Sequence, residues 1–132
     1  MQRTILIDTN IILLFFLNDH EVLSNKAREL IQSAENGDVV LYMDEVIVAE
    51  IVWVLESFYE ISKEEIVEKL LGILMQPWVE NPRKSEVIHA LHFFKTTSLS
   101  YIDTWILSKS LANNFPIETF DIKLSSLAKK LR

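Results

Sequence analysis

Carboxylates stand in this sequence where the apolar pattern gives them no obvious partner. From Ile5 to Leu17 the only polar side chains are Asp8, Thr9 and Asn10, and from Val46 to Leu55 the only one is Glu50. A carboxylate desolvated in such a setting costs several kcal/mol or takes up a proton. Few cations are on offer nearby. Arg3 is the only one before Lys26, and none lies between Arg28 and Lys63. A bound metal ion is the other way to make such acids tolerable. Asp103, in the run Ser100-Tyr101-Ile102-Asp103-Thr104, and Asp121, after Thr119-Phe120, complete a set of four. If four carboxylates converge at roughly 5 Å, each pair repels by roughly 3 kcal/mol at an effective dielectric of about 20. An all-oxygen cluster of that kind suits Mg²⁺ or Mn²⁺. Each acid taken alone also fits a local role. Asp8 can cap the helix that begins near Ile11, Asp103 fits a capping box with Ser100, and Asp121 can cap the last helix. The metal reading rests on the set.

The elements that must position these acids follow from periodicity. Thr4–Ile7 is short, β-branched and apolar, the pattern of a strand buried on both faces. Ile11–Leu17 reads as a short helix, and Ser24–Glu35 as an amphipathic one ended by Asn36-Gly37. Val39–Met43 reads as a second strand, with Asp44 capping a helix from about Glu45 to Tyr59. Ser62 and Glu65 form a capping box before a helix that Gln76-Pro77 stops, and Trp78–Glu80 is a third strand. Asn81-Pro82 starts a helix to about Lys95, with proline at its first position. Ser100 opens a helix to about Ala112, Ile117–Phe120 is a strand, and Asp121–Leu131 a terminal helix. Strands alternating with helices predict an α/β fold, three-layered, around a short parallel sheet. Asp8 and Asp121 then sit at the carboxyl ends of the first and last strands, where ligands bind in open parallel sheets. Glu50 and Asp103 fall within the first turns of helices facing the same rim.

Composition narrows the remaining classes. A length of 132 residues predicts one domain, 1–132, and 49% hydrophobic with 24% charged residues is a globular balance. Two glycines exclude the Gly-rich phosphate loops, and the absence of cysteine excludes thiolate metal sites and fits a reducing, cytoplasmic setting. No secretory leader is visible. The net charge of −6 argues against a broad nucleic-acid-coating surface, although Lys123, Lys129, Lys130 and Arg132 make residues 122–132 net +4. His89 and His92 share a helix face without a third ligand, and Trp53 and Trp105 fall at core spacing within apolar runs. Seven apolar residues in a row, Ile11–Leu17, exceed what one helix face can hide and predict an exposed apolar patch.

Taken together, the chain resembles the PIN-domain family, and within it the small VapC-type toxin ribonucleases of toxin–antitoxin pairs. The resemblance rests on Ile5-Leu6-Ile7-Asp8-Thr9-Asn10, on Glu50 inside an apolar helix, on Ser100–Thr104, and on Pro116-Ile117-Glu118-Thr119-Phe120-Asp121. It implies a Mg²⁺-dependent endoribonuclease, with Mn²⁺ a possible substitute. Asp8 and Asp103 would be the main metal ligands, Glu50 and Asp121 would complete the site, and Asn10 and Thr119 would orient the acids or the attacking water. It further implies an RNA substrate, a homodimer, and a small antitoxin that lies in a groove beside the first helices and sends a basic residue towards Asp8 and Asp103. The competing reading is a PIN-like scaffold that binds RNA or protein without cutting.

Overall fold

The computed structural model describes residues 2–132, and in them the periodicities resolve into three short strands and seven helices. In chain order these are β1 (Arg3–Leu6), α1 (Thr9–Leu17), α2 (Glu21–Glu35), β2 (Val39–Tyr42), α3 (Glu45–Ser57), α4 (Lys63–Leu74), β3 (Val79–Glu80), α5 (Lys84–Thr96), α6 (Tyr101–Asn113) and α7 (Ile122–Leu131). The strands form one parallel sheet in the order β1-β2-β3, flanked by the helices, as the alternation predicts. Arg3 pairs with Val39 and Leu6 with Tyr42, and Leu41 pairs with Val79. No helix among the described residues is long and apolar enough to cross a membrane.

Polar side chains at the helix starts set the boundaries. Backbone N–H groups of the first turns donate to Asp44 in α3 (2.9 Å), Ser62 in α4 (3.3 Å) and Ser100 in α6 (3.3 Å). Each such bond satisfies an otherwise orphaned amide and stabilises its helix by about 1 kcal/mol. His20 does the same for α2, its Nδ1 accepting from Leu23 N–H at 3.1 Å, so that helix begins three residues earlier than the apolar pattern alone indicates. Asn81 works differently from expectation. Its Oδ1 accepts from Arg83 N–H at 2.7 Å, which holds Pro82 and Arg83 in a turn, and α5 starts only at Lys84.

The main core gathers Leu41 and Met43 from the sheet region with Ile51 and Leu55 of α3, Leu70 and Leu74 of α4, and Phe94 of α5. A second, smaller cluster of Leu99, Leu107, Leu124 and Ala128 welds α7 onto α6.

Four expectations are corrected. β1 is an edge strand, not one buried on both faces: Ile5 is half-buried, and Leu6 is 70% exposed. Residues 117–120 form no strand. Ile117 is drawn into the α6–α7 cluster, and the Thr119 hydroxyl accepts Asp121 N–H at 3.0 Å, turning the chain into α7 instead of along β1. Asp121 is therefore a helix cap and does not end a strand. The apolar run of α1 is not an exposed patch, because Ile12 is fully buried and Ile11, Leu13, Phe15, Phe16 and Leu17 pack half-buried on the core. Trp53 is the reverse case, 63% exposed on α3, whereas Trp105 does pack against the core.

Candidate active site

Asp8 follows β1 and caps α1, its Oδ1 accepting from Ile11 N–H at 3.2 Å. Asp121 caps α7 in the same way, through Leu124 N–H at 2.8 Å. In both, the second carboxylate oxygen has no hydrogen-bond donor among the described residues. Asp103 lies in the first turn of α6, where its own N–H is tied to Ser100 and its side chain is half-buried. A carboxylate in that position sits at the positive end of the helix dipole. Glu50 is on α3, exposed and flanked by buried Ile51 and Val52. Asn10 is exposed at the start of α1, and Thr119 is half-buried, holding the backbone of Asp121.

The four helices involved are neighbours. α3 packs against both α1 and α6, and α6 packs against α7. The acid-bearing segments thus form a contiguous series along the molecule. The side chains themselves are not drawn into a tight knot: among the described residues, no three His, Asp or Glu groups stand close enough to hold a metal ion between them. Desolvation, the premise that singled these acids out in the sequence, does not apply as stated. Asp8, Glu50 and Asp121 face solvent: Glu50 lies on the outer side of α3 while Ile51 and Val52 turn inward, and Asp8 and Asp121 stand just ahead of the helices they cap.

The four acids do share a lack of counter-charge. The ion pairs among the described residues are Arg83–Glu45 and Lys109–Glu86, so none of the four acids has a cationic partner. Carboxylate oxygens that are solvent-accessible, unpaired and on adjacent elements are the donor type a hard divalent cation takes. The residues present fit such an ion in their chemistry.

A polar network beside this region was not visible from the pattern. Asn81, buried at the end of β3, donates to Met43 C=O at 2.8 Å and to Glu45 Oε1 at 3.1 Å. Arg83 closes on the same Glu45 carboxylate from the other side with two donors. The hydrogen bond from Arg83, with help from Asn81 and against the cost of burial, holds the Glu45 carboxyl below its ordinary range. Tyr101, two residues before Asp103, is buried edge-on against Phe94, and burial together with the nearby Glu45 charge pushes its phenol well above its ordinary value. The residues of this network lie 36 and 38 positions apart, and only the adjacency of Asn81 and Pro82 to a helix start hinted at any of it.

A short parallel sheet flanked by helices, with Asp8, Asp103 and Asp121 at helix starts and Glu50 further along α3, defines an α/β protein with an acidic flank. The chain belongs to the PIN domain family, whose sequence pattern matches residues 5–130. PIN domains are commonly nucleases and typically bind divalent metals. Neither the curated proteins nor the solved structures give a match to this chain.

Proposed function

We propose that this protein is a metal-dependent endoribonuclease, hydrolysing RNA phosphodiester bonds with Asp8, Glu50, Asp103 and Asp121 as its acidic site. The observation that carries the reading is that these acids, on adjacent elements of a PIN domain, have no ion-pair partner among the described residues. Asp8 and Asp103 would hold Mg²⁺ or Mn²⁺, with Glu50 and Asp121 completing the set. Thr119 fixes the backbone from which Asp121 projects, and Asn10 is the second residue of α1, two after Asp8. A divalent cation held by these residues would supply Lewis-acid stabilisation of the scissile phosphate and lower the pKa of a water. The free carboxylate oxygens could accept a hydrogen bond from an attacking water, and the exposure of the acids leaves room for a polynucleotide strand.

We read the protein further as the cytoplasmic toxin of a toxin–antitoxin pair. A groove of about 560 Å³ supports a peptide partner. Phe15, Phe16 and Trp78 form its apolar side, and Glu35, Glu65 and Glu68 make its rim suit a basic side chain. A homodimer would bury exposed apolar side chains of and beyond α3, with Phe58 furthest from the acids and Val46 and Trp53 on the same helix side as Glu50.

Asp8→Asn tests the catalytic reading. The amide oxygen still accepts Ile11 N–H, so α1 stays capped while a ligand charge is lost. Purified parent protein with Mg²⁺ or Mn²⁺ cleaves RNA to leave 5′-phosphates, and EDTA abolishes the activity. The variant folds as the parent does and loses at least about a hundredfold in rate, the scale on which one electrostatic contact to the reacting group acts. Cleavage by Asp8→Asn at the parent rate would leave the non-cutting scaffold as the better description.

A further inference from the structure

The most exposed large apolar side chain is Phe120, which stands wholly in solvent between Thr119 and Asp121. An aromatic ring left in water beside a candidate active-site acid has no structural use within the monomer. Immediately after it, Ile122 is 81% exposed and begins a groove of about 440 Å³ between α7 and the loop that leads into α6. Leu99, Ile122 and Leu127 form its apolar wall, and Lys123, Lys130 and Ser98 its polar edge. Lys123 Nζ reaches to 3.5 Å from Ser98 Oγ, so its ammonium overlies the mouth of the groove. From Ile122 to Arg132 the chain carries four cations and no acid, in a protein whose net charge is −6. The larger groove on α2 and α4 has the opposite balance, with three glutamates against one lysine, Lys69. A polyanion is repelled there and attracted here.

Resting on the nuclease reading, we infer that Phe120 is a stacking platform for an unpaired base of the RNA substrate. The groove beside it takes the adjoining nucleotide, with Lys123 and Lys130 on the phosphates. The chemistry selects a single strand. A ring standing free in solvent offers its face only to a base that has left its own stack, and an apolar wall edged by ammonium groups matches a base joined to a phosphate. The arrangement also gives this acidic protein a local field that draws RNA to the Asp121 side of the site, so the strand enters from α7.

The experiment measures fluorescence anisotropy of a labelled single-stranded oligouridine and of a duplex RNA of equal length. Parent, Phe120→Ala, Phe120→Trp and Lys123→Ala are compared in EDTA, and cleavage of single-stranded RNA is followed in parallel with Mg²⁺. Phe120→Ala weakens single-strand binding by about tenfold, the scale of one base–aromatic stack, and raises KM while leaving kcat within about twofold. Phe120→Trp retains the affinity, and its added emission is quenched by RNA. Lys123→Ala binds more weakly and lowers the slope of log affinity on log salt by about 0.7. Single-strand affinity and KM unchanged in Phe120→Ala would overturn the inference, as would a change in oligomer size by light scattering with RNA binding intact, which marks Phe120 as a protein contact. Failure of the underlying reading looks different: the parent itself then neither binds nor cuts RNA, and the inference falls with it.

Discussion

Asp8 and Asp121 each cap a helix with one carboxylate oxygen and leave the other to solvent. Substitution separates these roles. Asp121→Asn keeps an oxygen for Leu124 N–H and should unfold in urea at the parent midpoint, whereas Asp121→Ala orphans that amide and should lose about 1 kcal/mol. Equal midpoints for the alanine variant and the parent would show that α7 is held by Leu124 and Ala128 alone. Caps of this kind were legible in the sequence because they are local. Asp44, Ser62 and Ser100 each act on an amide two or three residues away. The same acids were misjudged as desolvated, since an apolar run does not say which side of the helix a lone acid occupies. Asp8 and Glu50 lie on the outer side.

Between elements, the Glu45–Arg83 pair joins the first turn of α3 to the turn before α5, with Asn81 braced against both. Glu45 titrates below its ordinary value of 4.5 in the folded state, chiefly through its hydrogen bond from Arg83. The pair therefore stabilises the fold fully above that ordinary value and ceases to do so as pH falls through the lowered folded value. Arg83→Met should melt below the parent at pH 7, with the gap closing below pH of about 4. A gap independent of pH would assign the loss to packing of the arginine stem. Pairings of this length are what sequence periodicity cannot supply. The same blindness produced the fourth strand predicted over Ile117–Phe120, where β-type residues are overruled by the anchoring of Ile117 to α6 and α7 and by the turn at Thr119. The first three strands, their parallel sense and the seven helices were readable because alternation and length sufficed for them, whereas the order β1-β2-β3 came only with the structure.

For the molecule as a whole, four unpaired acids on touching helices predict linkage between metal and stability. Mg²⁺ at about a hundredfold excess over its Kd adds about 2.7 kcal/mol, a rise in Tm of roughly 5–10 °C. Melting indifferent to Mg²⁺ at several tens of millimolar would leave the acids as independent caps. Association is the second molecular-scale outcome. The apolar patch expected on α1 is absent, and exposed Val46 and Trp53 on α3 are the alternative seat for the proposed pairing, so Trp53→Glu, which alters an exposed side chain and spares the core, should lower the mass seen in light scattering. A parent already monomeric at tens of micromolar would exclude pairing through this face.

The open flank of β1 has a practical consequence for anyone who concentrates this protein. Ile7 N–H is engaged by Tyr42 C=O, so alternation along the strand turns the amides of Leu6 and Thr4 away from the sheet, beside a Leu6 side chain that is itself in water. An unpaired strand edge with an apolar side chain on it is a template for another edge of the same kind. At pH 7 the net charge of −6 keeps copies apart, but the isoelectric point is about 5.0, and close to it that repulsion vanishes. Turbidity on acidification towards pH 5 would then report sheet extension between intact molecules, reversible on raising the pH, well before the pH at which Glu45 gives up its partner.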